Sequence, residues 1–258
     1  MTATGVIPDI VLVVFFIYTS FNSLTDIYSR IKFIWYIGMG KDFTPKIEVF
    51  DQMAIGWYNF RHYSIFRPEL EELSKKWLKG RLLNIGCGHG ADFLPLKDNF
   101  ELYGVDFSSE MIKMARRYSH KFEFAANFVL ADVRQLPFSA KTFDWVISVA
   151  TYHHIKGKDQ QLASFQELRR VLKPGGEAFI TVWNRCQPGF WFKGKEVAVP
   201  WKVKGHTINR YYYMFTYWEL EKTLRKAGFQ ILRSFPESTF HIPIKYFSRN
   251  ICIIVKKP

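Results

Sequence analysis

Apolar residues recur along this chain with two alternating periods, and from Phe66 onwards the alternation is regular. Pro68 opens a stretch, residues 68–79, in which Leu70, Leu73 and Trp77 fall on one helical face. Residues 81–85 read as a short buried strand, and the run Gly86-Cys87-Gly88-His89-Gly90 follows at once. The pattern then predicts a helix after Gly90, a strand over 101–105, and a helix capped by Ser108 that runs to about Tyr118. Strands follow at 128–130 and 143–149, separated by the turn-forming Leu136-Pro137-Phe138-Ser139. A helix over 159–172 is stopped by Lys173-Pro174-Gly175-Gly176, and a fifth strand covers 177–183. Residues 184–215 show no clear period; a helix over 216–227 and strands near 229–235 and 251–255 complete the chain.

Strands alternating with helices imply an α/β fold, a parallel sheet built from right-handed crossovers, with any ligand at the carboxyl ends of its strands. The 258 residues suffice for one such domain with additions. The domain is assigned to 46–258, with an insertion at 184–215, and residues 1–45 form an N-terminal apolar extension. The apolar run from Ile10 to Tyr18 is shorter than the roughly 20 residues that span a bilayer. No basic segment precedes it, Asp9 sits at its edge, and no small-residue cleavage site follows cleanly. Three readings stay open: a helix docked on the domain, a membrane anchor formed by residues 6–21, or sequence upstream of a true start at Met39. No stable membrane association is expected unless the anchor forms.

Composition adds a partner class. Hydrophobic residues make up 48% and charged residues 23%, which is globular, and the 18% aromatic content is high. The formal net charge is +13, and residues 165–258 hold 17 Lys and Arg against six Glu and no Asp. An excess concentrated in one half points to a basic face for a polyanion such as nucleic acid. The three cysteines, Cys87, Cys186 and Cys252, form no CxxC and no metal-spaced cluster, so neither a disulfide framework nor a structural metal is expected. The usage fits a reducing, cytoplasmic setting.

Gly-x-Gly-x-Gly after a strand lets the backbone approach a ligand closely. Asp106 lies 20 residues beyond Gly86, at the end of the second strand, where a carboxylate accepts both hydroxyls of a ribose. Asp132 follows the third strand, within reach of an adenine amino group. Five segments then carry a resemblance: Leu-Leu-Asn-Ile-Gly-Cys-Gly-His-Gly (82–90), Val-Asp-Phe-Ser (105–108), Ala-Asp-Val-Arg-Gln-Leu-Pro-Phe (131–138), Phe-Asp-Trp-Val-Ile-Ser (143–148) and Leu-Lys-Pro-Gly-Gly (172–176). In order and spacing they resemble the motifs of class I S-adenosylmethionine methyltransferases. The resemblance implies a Rossmann-like seven-stranded sheet with helices on both faces. It also implies S-adenosyl-L-methionine as cofactor, held by Asn84, Gly86, Cys87, Gly88, Gly90, Asp106, Asp132, Val133 and Val149. The family usually carries an acidic residue where this chain has Asn84, and an amide cannot neutralise the cofactor's positive charge.

Three further stretches narrow the acceptor. Ser-Val-Ala-Thr-Tyr-His-His (148–154), Val-Pro-Trp-Lys (199–202) and Arg-Tyr-Tyr-Tyr-Met-Phe (210–215), with the entry segment Ala-Ile-Gly-Trp-Tyr-Asn-Phe-Arg (54–61), resemble the tRNA methyltransferases that esterify a 5-carboxymethyl wobble uridine. Tyr213, commonly His in that family, and the long front extension are departures. Loops used on exocyclic base amines or pyrimidine C5 are missing. The resemblance implies His153, His154, Arg61 and Arg210 as catalytic residues, the two arginines gripping the substrate carboxylate, a phosphate or the cofactor's own carboxylate, and Trp201, Lys202, Tyr211 and Tyr212 as substrate contacts. A carboxylate is already an anionic nucleophile near pH 7, so positioners suffice without a base. Trp191, Phe192, Trp201, Tyr211, Tyr212 and Phe215, interleaved with lysines, suit the unpaired bases of a tRNA anticodon region. Relatives of this kind often need a small zinc-binding activator subunit. Two other readings remain: a small-molecule methyltransferase of the quinone C-methylating type, and a methyltransferase fold retained as an inactive binding module.

Overall fold

The computed structural model describes residues 47–258, so the N-terminal apolar extension, 1–45, and its three readings lie outside the described residues. Among the described residues there are nine strands and five α-helices, the strands being β1 (Gly80–Ile85), β2 (Phe100–Asp106), β3 (Ala126–Leu130), β4 (Phe143–Val149), β5 (Leu172–Trp183), β6 (Glu196–Val203), β7 (His206–Tyr213), β8 (Gln230–Pro236) and β9 (Asn250–Lys256). The helices are α1 (Ile47–Phe60), α2 (Arg67–Trp77), α3 (Ser109–Lys121), α4 (Lys158–Val171) and α5 (Tyr217–Lys226). Seven strands form one sheet in the order β3-β2-β1-β4-β5-β9-β8, and β6 pairs with β7 in a separate hairpin.

Consecutive apolar residues on the central strands go to opposite faces, which is why those strands read as unbroken apolar runs. Leu83, Val146, Ile180 and Ile253 pack with Phe165 and Leu168 of α4 and Leu220 and Leu224 of α5. Their neighbours Leu82, Ile147, Phe179 and Cys252 pack on the other face with Leu70, Leu73 and Trp77 of α2 and Ile112 of α3. The helices begin where the chain supplies caps. Ser108 Oγ accepts from the Met111 amide at 3.1 Å, and Thr216 Oγ1 accepts from the Glu219 amide at 3.2 Å.

Three expectations are corrected. The sheet is mixed: β9 runs antiparallel to both β5 and β8. No crossover helix lies in the 237–249 connection, so the chain re-enters the sheet from the end at which it left. The segment after Gly90 is a 3-10 helix, Ala91–Leu96, because Pro95 inside it lacks the N–H an α-helical turn needs. Residues 196–213, without visible period, are the β6–β7 hairpin. It turns at Lys204 and Gly205, both at positive φ (38° and 89°). Lys-Gly is a weak hairpin signal, and Val197, Ala198 and Val199 are buried in succession, so no alternation shows. Among the described residues no helix is long and apolar enough to cross a membrane.

Candidate active site

The cofactor end is built at the carboxyl ends of β1 and β2. Gly86 and Cys87 both donate to the Val105 carbonyl, at 2.8 and 2.9 Å, which pins the glycine run to β2. Gly86 sits at φ 70°, and a β-carbon there would lie 2.1 Å from Thr151 Oγ1, so only glycine fits. Gly88 is different. Its φ is 53°, its amide donates to Asp106 Oδ2 at 2.8 Å, and a β-carbon would meet nothing within 4 Å. Asp106 Oδ1 takes the Ser108 amide at 3.0 Å. Each carboxylate oxygen keeps a lone pair for a ribose hydroxyl. Burial pushes the Asp106 carboxyl up to about 6, against the lowering hydrogen bonds from Ser108 and Gly88.

At the base of the loop Asn84 is fully buried beside Asp92, whose carboxyl it faces as a side-chain hydrogen-bond partner. An open glycine cradle beside a ribose-type carboxylate, with a buried amide at its base, fits an S-adenosylmethionine site. Asp132, Val133 and Val149 lie just past β3 and at the end of β4. Burial raises the Asp132 carboxyl, but Arg134 outweighs this and holds it below the usual range. The two form a bidentate pair, with Arg134 Nη2 2.5 Å from Oδ2.

The candidate acceptor end comes from remote segments: the last turn of α1, the 3-10 turn Tyr152–His154 after β4, and the hairpin. Arg210 is 7% exposed, with its guanidinium 5.3 Å from the Trp201 ring, 5.2 Å from Tyr212 and 6.0 Å from Trp57. Arg61 stands 5.4 Å from Trp57 and 5.3 Å from Phe60, and Trp57 meets Trp201 at 5.4 Å. Nε of both arginines is buried without a partner. Burial lowers the Arg61 pKa first, followed by the nearby Arg249.

His153 is fully buried and stacks on Tyr212 at 4.5 Å. Its Nδ1 accepts from the Trp183 amide at 3.3 Å, so the proton sits on Nε2, which has no partner. His154 Nδ1 donates to the Tyr211 carbonyl at 2.9 Å. Desolvation pulls the His153 pKa well down and takes His154 to about 3, so both rings are neutral and present fixed donors and acceptors. Buried, unspent donors with surplus positive charge suit an anion.

Arg61, Arg210, His153, His154, Trp201 and Tyr212 are therefore gathered, whereas Lys202 is exposed near the hairpin turn and the Tyr211 ring belongs to the core. Three contributors carried no sequence signal. His89 Nε2 donates to the Arg61 carbonyl at 2.6 Å and ties the glycine loop to the acceptor end. Asp51 of α1 accepts from Ser108 Oγ at 2.5 Å and the Glu110 amide at 3.2 Å, docking α1 on α3. Asp92, a hydrogen-bond partner of Ser64, is pushed up to about 6 by burial beside Arg61. Among the described residues no group of three or more His, Cys, Asp and Glu side chains is placed to hold a metal ion.

Known proteins place this architecture. Residues 83–180 match the methyltransferase domain family model. The structure is similar to an S-adenosylmethionine-dependent methyltransferase from Clostridium acetobutylicum, with TM-score 0.65 and 16% identity over 81% of this chain and 96% of that one. It is also similar to the putative methyltransferase in a complex with the Haloferax volcanii Trm112 activator, with TM-score 0.58 and 16% identity over 82% and 96% of the two chains. In its glycine cradle, Asp106 and seven-stranded sheet the chain is similar to S-adenosylmethionine-dependent methyltransferases, and it shares their fold. Among its sequence relatives are tRNA methyltransferases. It is 27% identical to the tRNA (carboxymethyluridine(34)-5-O)-methyltransferase of Schizosaccharomyces pombe, over 72% of this chain and 88% of that protein. It spans only 28% of the longer probable tRNA methyltransferase 9B of Bos taurus, at 30% identity.

Proposed function

We propose that this chain methylates the carboxylate of a 5-carboxymethyl wobble uridine in tRNA, forming a methyl ester. The observation that carries the reading is the half-buried Arg61 and the buried Arg210, each with a buried, unpaired Nε donor, beside the unspent Nε2–H of His153. Gly86, Gly88 and Gly90 cradle the cofactor, with Asp106 on its ribose and Asn84 at the base of the loop. Bound there, S-adenosylmethionine supplies an electrophilic methyl group. The chain's own work is alignment and exclusion of water. Arg61 and Arg210 grip the acceptor carboxylate, and Trp57, Trp201 and Tyr212 wall the cleft and keep those charges poorly hydrated. The neutral histidines orient the acceptor through hydrogen bonds and move no proton, since the nucleophile is already an anion. A small activator subunit belongs to the same reading; the likeness to the chain solved with the Trm112 activator supports it.

Nucleoside mass spectrometry of tRNA from a deletion strain tests the function. Loss of wobble-uridine methyl esters with accumulation of the free carboxymethyl nucleoside is expected. Unchanged esters together with an altered quinone pool would replace this reading with the small-molecule one.

A further inference from the structure

Two loops carry exposed aromatic rings, of which Trp191 and Tyr246 keep one side packed, Tyr246 edge-on against Tyr217 at 5.5 Å. Phe192 is 100% exposed, Tyr246 54% and Trp191 41%, and no core cluster claims them. The loops are nevertheless held firmly against each other. Fully buried Asn184 donates through Nδ2 to the Tyr246 carbonyl at 2.7 Å and the Ser248 carbonyl at 2.8 Å. Gln187 Nε2 reaches the Arg249 carbonyl at 3.2 Å, and the buried Glu237 carboxylate accepts the Arg249 and Asn250 amides at 3.2 and 2.8 Å. The Trp191 indole donates to the Cys186 carbonyl at 2.6 Å and packs on Phe247, centroids 5.8 Å apart. Lys245 lies 5.4 Å from the Tyr246 ring.

No acidic residue occurs in 184–195 or in 238–258, while those stretches carry Arg185, Lys193, Lys195, Lys245 and Arg249 among their cations. Arg249 is exposed, and Phe190 of the first loop packs at 5.9 Å on Trp183, whose ring lies 4.5 Å from Tyr212, so the patch adjoins the acceptor end.

We infer that Trp191, Phe192 and Tyr246, with Lys245 and Arg249, form a platform for single-stranded RNA next to the reacting nucleotide. Unpaired bases stack on the rings and their phosphates meet the cations. Rings fixed by hydrogen-bonded loops lose little freedom when a base stacks on them, and every base offers a π-face, so the platform is tolerant of sequence. It relocates the base-stacking surface: Tyr211, Tyr212 and Phe215 are buried, at 4%, 4% and 1% exposure, and offer RNA no open face. The inference rests on the tRNA reading of the cleft.

The test is fluorescence anisotropy of the full chain with a labelled anticodon stem–loop RNA across a salt series. Calorimetry with S-adenosylhomocysteine runs in parallel. Phe192→Ala weakens RNA binding by about tenfold, and Phe192→Tyr restores most of it. Arg249→Gln lowers the slope of log affinity against log salt by about 0.7. S-adenosylhomocysteine affinity stays within twofold in the Phe192 variants. If wild type binds and methylates the RNA and Phe192→Ala and Arg249→Gln match it in affinity and salt slope, the platform is refuted and the tRNA reading stands. If wild type binds no RNA at any salt while retaining S-adenosylhomocysteine, both fall.

Discussion

The two ends of the cleft are built by different rules. The cofactor end is local: Gly86, Gly88 and Asp106 are joined by hydrogen bonds between adjacent strands, and backbone amides do most of the work. The acceptor end is assembled from α1, the turn after β4 and the hairpin, and side chains do the work. A ligand common to many enzymes can be held by a loop whose backbone conformation is the requirement. A particular acceptor needs guanidiniums and rings brought from distant places. His89 and Asp51 join the two ends, each by hydrogen bonds to an element of the other.

The largest expected effect breaks the cofactor end alone. Gly86→Ala drives a β-carbon into Thr151 at a backbone φ of 70°. It is expected to cost about 3 kcal/mol of stability from overpacking and left-handed strain. Calorimetry should also show more than a hundredfold loss of S-adenosylhomocysteine affinity. The matching change at the acceptor end is Arg210→Met. It is expected to lower kcat/KM on RNA about a hundredfold, on the order of 3 kcal/mol, and to leave cofactor affinity within twofold. Equal losses of both activities in both variants would erase the distinction between the ends.

A smaller effect separates the ends by pH. Asp106 titrates at about 6 when folded, above its ordinary 3.8. The unfolded chain therefore gives up this proton first, and the apo protein loses stability as pH rises from about 4 to 6. Ribose hydroxyls donate to the ionised carboxylate, so cofactor affinity behaves oppositely. It falls up to about tenfold per unit as pH drops below 6, and Asp106→Asn should flatten this dependence in a calorimetric pH series. The acceptor step should show no histidine titration between pH 6.5 and 8.5, since His154 is held at about 3 and His153 well below its ordinary value. A kcat inflection near 6.5 that His154→Gln removes would contradict the neutral-histidine account.

The smallest effect is Thr216→Ala. Losing the α5 cap is expected to cost about 1 kcal/mol in thermal unfolding, without changing cofactor binding.

The same contrast explains what was legible in the sequence. Glycine spacing, a strand-terminal aspartate and cap residues are local, so the loop at 86–90, Asp106 and the Ser108 and Thr216 helix starts were readable directly. The hairpin was not, since Lys204-Gly205 is a weak turn signal and a strand buried at three successive residues shows no alternation. Arg61 and Arg210 were reached through family resemblance, because nothing in their local sequence says they meet across Trp57 and Trp201. Asp51, His89 and Asp92 act through partners far along the chain, and the loops that carry residues 191, 192 and 246 are tied to each other through Asn184 and Gln187.

The measurement that bears most directly on this division of labour is single-turnover transfer of a labelled methyl group to two anticodon stem–loop RNAs. One carries 5-carboxymethyluridine at the wobble position and the other its amide, 5-carbamoylmethyluridine. The account predicts label on the carboxylate RNA only, released by mild alkali as an ester must be, with equal cofactor binding in both reactions. Transfer to the amide RNA, or label that resists alkali, would contradict it.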